Sequence, residues 1–408
     1  MNKRRFVFIV CLIMGVAFAF NSDAQLPEKK YMTPDGSMPG GLFAPGVQAG
    51  KTLYVSGKGD YRPGEPYDEK VKNCLNECRK VLQTGGMDME NVVKVFVYLQ
   101  DMDQYPILNE EYAKFFPEKP PARTTLGVPV VPGQSQIEIT MIAYDDLTER
   151  KVVTPDGAKP STLPFSNGIL AGNTLYISGK GDQLADGGHP ETFEEQVRQA
   201  MRNVGSVLKA AGLGFENVVM NHVYLDNYDN YGTANKVYSE FFEYGNEPAR
   251  ATVFVDRIPG GSHVEITCIA TTDLSTREAV RPAAFKYGPE EMAPTASPAV
   301  WAGNTLYMSA QSGWVPWEGI TTIDMEIQMR RMMQHHTDVL SAAGLGWSNI
   351  VSGNVYLRNI NDYTQMNALY RGYFLDGKAV RTTLQNNSGY EKNDIRVRAS
   401  FIAARTKK

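Results

Sequence analysis

Cysteine is scarce in this chain. Four occur, and Cys11 lies inside the apolar N-terminal run, so the remainder carries Cys74, Cys78 and Cys268. An odd number without framework spacing excludes a disulfide scaffold, and no cysteine or histidine falls at zinc-ligand spacing. Cys74 and Cys78 are one helical turn apart on an apolar side and read as core. Also missing are a phosphate-cradling glycine loop, a nucleophile elbow and a basic stripe interleaved with aromatics. The formal net charge is −4, which argues against nucleic acid as a main partner. Past residue 24 no apolar run is long enough to cross a bilayer.

The N-terminus is a separate matter. Lys3, Arg4 and Arg5 precede an apolar run from Phe6 to Phe20, and Ser22-Asp23-Ala24 supplies small residues at cleavage positions. This pattern predicts a secretory signal peptide over 1–24 and a periplasmic or secreted protein of charge near −6. An uncleaved anchor helix is the competing reading.

What is present is a long internal repeat. TLYVSGKGD (52–60), TLYISGKGD (174–182) and TLYMSAQ (305–311) recur, as do PARTT (121–125), PARAT (248–252) and AVRTT (379–383). Ser56 to Ser178 is 122 positions, and Ser178 to Ser309 is 131. A period of this size is that of a small domain, not of a solenoid. We therefore expect three units, 25–148, 149–275 and 276–408.

Each unit has one pattern. A strand around TLYxS leads to an amphipathic helix with apolar residues at helical spacing, such as Val197, Met201, Val204 and Leu208. Glycine follows the last turn, at Gly85-Gly86, Gly212 and Gly344. A second strand (91–99, 217–225, 349–357) and a second helix (NEEYAKFF, NKVYSEFF, NALYRGYF) come next. Two strands around a turn close the unit. The order β, α, β, α, β, β after an irregular arm predicts an α+β sheet with two helices on one face.

Arg123 and Glu138 are 15 apart about a turn at Val130-Val131, and Arg250 and Glu265 repeat the spacing. In a regular hairpin such positions face each other across the strands. A cross-strand ion pair would explain this. So would a site, with guanidinium holding a substrate carboxylate and glutamate activating water. Arginine in all three units, always two residues before Thr125, Thr252 or Thr383, favours the site. In unit three the glutamate is replaced by Arg396 or Arg398.

At these residues the chain resembles the Rid family (reactive intermediate deaminases, also labelled YjgF or endoribonuclease L-PSP). The resemblance rests on the SGK strand end, the AAGL helix end, VxVYL, NxxY, PAR[TS], the PG turn and [IV]EITxIA, in order. It implies a chorismate-mutase-like fold, three units forming an intramolecular pseudotrimer, and ligand clefts between units. It further implies hydrolysis of enamines or imines of 2-amino acids to 2-oxo acids and ammonia, without metal or organic cofactor. Carried over residue by residue, Glu138 and Glu265 are the catalytic positions. Arg123, Arg250 and Arg381 bind the carboxylate, with Ser56, Ser178, Ser309, Asn109, Asn235, Asn367, Phe43, Phe165, Thr125 and Thr252 lining the pocket. About Ala296 stands where the arm aromatic would be in unit three. At most two clefts are expected to be competent, with Arg123 and Arg250 anchoring substrate. The alternatives are a non-catalytic binder of small carboxylates and a pseudotrimeric interaction scaffold. The expected partner is a small carboxylate-bearing ligand, on a monomeric protein.

Of the remaining residues, His336 holds a core position, and His222 and His263 lack metal spacing. Lys58-Gly59-Asp60 and Lys180-Gly181-Asp182 resemble nothing catalytic alone and read as bends at glycine, the alternative being that lysine and aspartate help select substrate at a cleft mouth. Trp314 and Trp317 read as a packing lid.

Overall fold

The computed structural model describes residues 26–36, 41–158, 162–283, 295–313, 322–387 and 394–407. The signal-peptide segment and Trp314 and Trp317 lie outside them. Among the described residues no helix is long and apolar enough to cross a membrane.

Unit one runs β1 (Lys29–Tyr31), β2 (Gly46–Ala49), β3 (Thr52–Gly59), α1 (Tyr67–Thr84), β4 (Val92–Leu99), α2 (Tyr105–Phe115), β5 (Ala122–Gly127) and β6 (Ile137–Tyr144). Unit two repeats this as β7 (Arg150–Val153), β8 (Gly168–Ala171), β9 (Thr174–Ile177), α3 (Phe193–Ala210), β10 (Val218–Leu225), α4 (Tyr231–Tyr238), β11 (Ala249–Phe254) and β12 (Val264–Thr271). Unit three follows with β13 (Glu278–Val280), β14 (Ala299–Ala302), β15 (Thr305–Ser312), α5 (Met325–Ala342), β16 (Ile350–Leu357), α6 (Tyr363–Arg371), β17 (Val380–Gln385) and β18 (Val397–Ala404). The expected irregular arm is in fact two short strands at the head of each unit.

The long helices stop where the sequence places glycine. Gly86, Gly212 and Gly344 all have φ between +71° and +74°. In this left-handed conformation a side chain would be strained. The next amide then bonds back to the last turn, as Met87 N does to the Leu82 carbonyl at 3.0 Å.

Each sheet has the order β1-β2-β3-β6-β4-β5 or its equivalent. This corrects the hairpin reading. β5 lies parallel to β4, with Val95 opposite Arg123, while β6 pairs antiparallel with the other edge of β4. Joining two parallel strands needs a crossover, and α2 provides it, so β5 is carried to the outer edge. β4 thus separates β5 from β6, and Arg123 and Glu138 are not cross-strand neighbours. Arg250 and Glu265 are separated by β10 in the same way.

One face of each sheet is covered by its two helices, giving three separate apolar cores. The opposite faces meet in a central core that includes Val47, Tyr54, Val93, Ile169, Tyr176, Val219, Val300, Tyr307 and Val351 from all three units. Burial on both faces explains why the middle strands read as continuous apolar runs. The units close in a ring. Ser166 N donates to the Pro121 carbonyl at 3.1 Å, Ser297 N to Pro248 at 3.1 Å, and Ala44 N to Ala379 at 2.9 Å. Unit one therefore leans on unit two, two on three, and three back on one.

Candidate functional site

Each seam in the ring brings one arginine to the start of the next unit. The backbone N–H of Arg123 donates to Ser178 Oγ at 2.8 Å, that of Arg250 to Ser309 Oγ at 2.8 Å, and that of Arg381 to Ser56 Oγ at 2.9 Å. Each serine gives its own proton to a carbonyl on its arm, Ser166, Ser297 or Ala44. A hydroxyl has one proton, and it is already used. These three serines position the arginine strands across the seams.

The side chains are then held by the second helix of the arginine's own unit. Arg123 Nη2 donates to Asn109 Oδ1 at 2.6 Å and to Tyr105 Oη at 3.1 Å. Arg250 Nη2 donates to Asn235 Oδ1 at 2.8 Å. Arg381 Nη2 donates to Tyr363 Oη at 3.2 Å, and Asn367 Oδ1 takes no bond from a described residue. Rings lie against the guanidinium: Tyr112 and Phe165 at 4.7 and 4.8 Å from Arg123, and Tyr370 and Phe43 at 5.0 and 4.9 Å from Arg381. Arg250 has Tyr238 at 4.9 Å, but in place of the arm aromatic it meets Thr295 Oγ1 at 2.8 Å.

The glutamates complete the clefts from the opposite side of the seams. Glu138 of unit one is acted on by Arg381 of unit three and accepts from the Thr383 backbone N–H. Glu265 of unit two is acted on by Arg123 of unit one. The acid–cation pairs are thus Arg381–Glu138 and Arg123–Glu265. Arg250 lies at the seam between units two and three, where no glutamate stands in register among the described residues. Sheet register identifies the residue in that place. Tyr98 opposes Glu138, Tyr224 opposes Glu265 and Tyr356 opposes Arg398. Arg396 instead pairs with Asp362.

Both glutamates are buried, and burial dominates their ionisation. Glu138 is pushed up to about 8 despite Arg381, the Thr383 amide and Lys58. Glu265 is pushed up to about 7, opposed by Lys94, Lys180 and Arg123. Carboxyls poised this close to neutrality can exchange protons. At the seams with these acids lie buried polar atoms without a hydrogen-bond partner among the described residues: Arg123 Nη1 with Thr125 Oγ1, and Arg381 Nε with Thr383 Oγ1. Such atoms are costly to leave unpaired unless a ligand or water meets them.

A glycine makes room for each acid. A Cβ on Gly57 would lie 2.0 Å from Glu138 Oε1, and one on Gly179 would lie 1.8 Å from Glu265 Oε1. The third unit has Ala310 at this position. The loss of glutamate and the gain of a methyl group there go together. Gly57→Ala should displace the Glu138 carboxylate from this seat, and a crystal structure of the variant with that carboxylate unmoved would contradict the placement.

Sequence reasoning missed several residues. Tyr105, Tyr231 and Tyr363 each lie one turn before the pocket asparagine, a recurrence visible in the repeat. Lys94 has a fainter signal, as the lysine in an otherwise apolar strand where the other units have Met220 and Ser352. Its Nζ is buried at the first seam and donates to Thr124 Oγ1, Thr267 Oγ1 and the Ile177 carbonyl at 2.7–2.8 Å. Burial lowers it to about 7. A cavity of about 630 Å³ opens at this seam, lined by Met102 and Tyr105 of unit one and by Asp226, Arg257 and His263 of unit two.

Other expectations divide. Lys58 and Lys180 are partly buried and close enough to the glutamates to bear on their ionisation. Asp60 and Asp182 are buried and do not stand at a cleft mouth. Asp60 bonds Arg62 and Asn73, and Asp182 meets His189 at 3.1 Å. His336 is packed, with Nε2 2.9 Å from the Ala399 carbonyl. His222 is buried against Phe96, and His263 meets Asp226 at 2.7 Å. Cys74, Cys78 and Cys268 are buried thiols.

Each seam of this ring of three α+β units thus holds an arginine against at least one aromatic ring. The sequence model of the endoribonuclease L-PSP family matches residues 37–145, 157–272 and 289–393, so the chain belongs to that family, the Rid or YjgF proteins, with three tandem copies. Relatives include the 2-iminobutanoate/2-iminopropanoate deaminases of Rattus norvegicus and Homo sapiens, 39% and 37% identical over 127 residues. Each match covers 30% of this chain and 89% of the relative. Among solved structures, the YjgF gene product of E. coli is 30% identical, with 30% of this chain and 99% of that chain covered and a TM-score of 0.29. RidA from Psychrobacter sp. PAMC 21119 is likewise 30% identical, covering 30% and 98%, with a TM-score of 0.28.

Proposed function

We propose that the protein is an imine deaminase with two working clefts, one built from Arg123 and Glu265 and the other from Arg381 and Glu138. The observation that carries this reading is a buried carboxyl, raised toward neutrality, set across a seam from a caged arginine. The naming of several relatives as iminobutanoate and iminopropanoate deaminases supports the substrate class.

The arginine takes the substrate carboxylate through its unpaired guanidinium nitrogen and so fixes the imine carbon near the acid. Ionised glutamate removes a proton from water as its oxygen bonds to that carbon. The imine enters protonated on nitrogen, so this addition gives a neutral carbinolamine. Glutamate then returns its proton to nitrogen and takes the hydroxyl proton as the C–N bond breaks, and ammonia leaves with that proton as ammonium, freeing the 2-oxo acid. Export from the cell remains our proposal from the N-terminal residues alone.

The test is ammonia release from imines made in situ by an amino-acid oxidase, with the Glu138→Gln/Glu265→Gln chain alongside. Acceleration by the unaltered chain but not by the variant is expected. No acceleration, with small carboxylates still bound, would identify a binding protein. The pH profile is a second check. The base works ionised, so kcat/KM should rise with pH through about 7 to 8 and be lost below, following the raised glutamates. A profile flat from pH 6 to 9 would remove glutamate as the base.

A further inference from the structure

The cavity of about 630 Å³ at the seam between units one and two lies next to the Arg123–Glu265 pair, and two residues tie it there. Tyr105, whose hydroxyl accepts from Arg123 Nη2, lines it from unit one. His263 lines it from unit two, two positions before Glu265, where an extended chain returns to the same face about 7 Å further along. The Leu225–Val264 register sets Asp226 beside His263, as Tyr224 is set beside Glu265. Asp226 Oδ2 lies 2.7 Å from His263 Nδ1. A carboxylate only accepts, so the imidazole donates. Asp226 Oδ1 is buried without a partner among the described residues.

The lining is acidic at this end. Asp103, Asp226 and Asp256 stand against one guanidinium, Arg257, which is already paired with Asp103 at 2.8 Å. Met102, Pro106 and Ile258 supply apolar wall. An apolar passage ending at a carboxylate fits an aliphatic chain with a cationic end, and its volume exceeds what a short imine fills. The repeat supplies a contrast. At the corresponding places, after VYL and before the EIT strand, unit one has the neutral Gln100 and Gln136.

We propose that the cleft between units one and two takes a 2-imino acid whose side chain ends in a cation, with Asp226 as the distal anchor. This rests on the deaminase reading: Arg123 holds the carboxylate, Glu265 serves the imine carbon, and a side chain of arginine's length runs out beside His263 to Asp226. The Arg381–Glu138 cleft, with glutamines at that place, carries no such preference.

The test compares ammonia release from the imines of arginine and citrulline, alike in shape and different in charge, with the imine of alanine as reference. Arg381→Met leaves the Arg123–Glu265 cleft working, and Arg123→Met leaves the other. In the Arg381→Met chain kcat/KM for the arginine imine should exceed that for the citrulline imine by about tenfold or more, as for a hydrogen bond to a charged group. The Arg123→Met chain should show no such ratio. Asp226→Asn added to Arg381→Met should bring the two substrates together. Equal kcat/KM in the Arg381→Met chain, or a ratio that survives Asp226→Asn, would overturn the inference, while turnover of the alanine imine would still uphold the deaminase. If no imine is turned over by the unaltered chain, the deaminase reading falls instead. Calorimetry with the guanidino and ureido 2-oxo acids then decides the inference by the same ratio and the same variant. Should the Arg381→Met chain not fold, the unaltered chain is compared with Asp226→Asn alone. A fall in the arginine-to-citrulline ratio is expected, and no fall would overturn the site.

Discussion

Arg123→Met combined with Glu138→Gln should abolish imine turnover, whereas Arg123→Met combined with Glu265→Gln should leave about half, because the first pair disables both working clefts and the second disables one twice. The two residues of the first pair are in one unit, 15 positions apart, yet serve different seams. Those of the second pair are 142 positions apart in sequence and serve one seam. Losing either the base or the carboxylate anchor should cost a cleft roughly 100-fold or more, so residual activity counts intact clefts. The reciprocal pairs give the same contrast. Arg381→Met/Glu265→Gln should be inactive, and Arg381→Met/Glu138→Gln should retain about half. Methionine keeps much of the arginine stem's volume between its rings, and glutamine keeps the acid's shape. Initial rates of ammonia release, with far-UV circular dichroism to check folding, decide the matter. Half activity from Arg123→Met/Glu138→Gln would mean that each unit pairs its own arginine and glutamate.

The second large effect concerns stability. Glu138 and Glu265 are raised in the folded chain to about 8 and about 7 from an ordinary value of 4.5. Above pH 4.5 the unfolded chain releases these protons while the folded chain keeps them. Stability therefore falls with rising pH across that window, and the loss is complete above about 8. For two buried acids it is on the order of several kcal/mol. Glutamine carries no such proton. Glu138→Gln/Glu265→Gln should match the unaltered chain in Tm near pH 4.5 and exceed it at pH 9 by on the order of 5 °C. Melting curves at both pH values check this. A variant less stable at pH 9 would mean that the buried acids are held as ions by their arginines and lysines. The same substitutions are thus expected to remove activity and raise stability, as when a site is kept strained for function.

Much of the fold was legible before any coordinates. Three copies of one pattern gave three units, alternating and helical spacing gave strands and helices, and glycine after the last turn gave the ends of α1, α3 and α5. These follow from rules acting within a dozen residues, where backbone sterics and burial leave few choices. The arginines were legible because they recur at one place in three copies. Tyr105, Tyr231 and Tyr363 were legible in principle by the same argument.

The pairing of arginine with glutamate was not. A spacing of 15 residues about a Pro-Gly turn is compatible with a hairpin, and local sequence cannot say that a third strand lies between. That strand, β4, is placed there because the crossover through α2 sets β5 parallel on its outer edge. Ring closure then decides which arginine each acid meets. It turns Arg381 toward Glu138 and Arg123 toward Glu265, and puts Arg250 at the seam where Arg398 holds the register position of those acids. The sequence by itself determined the elements, the repeat and the identity of the polar groups, since these are properties of short segments. Tertiary structure decided their partners, because the clefts exist between units, and contacts between units are set by sheet order and by the central core they share.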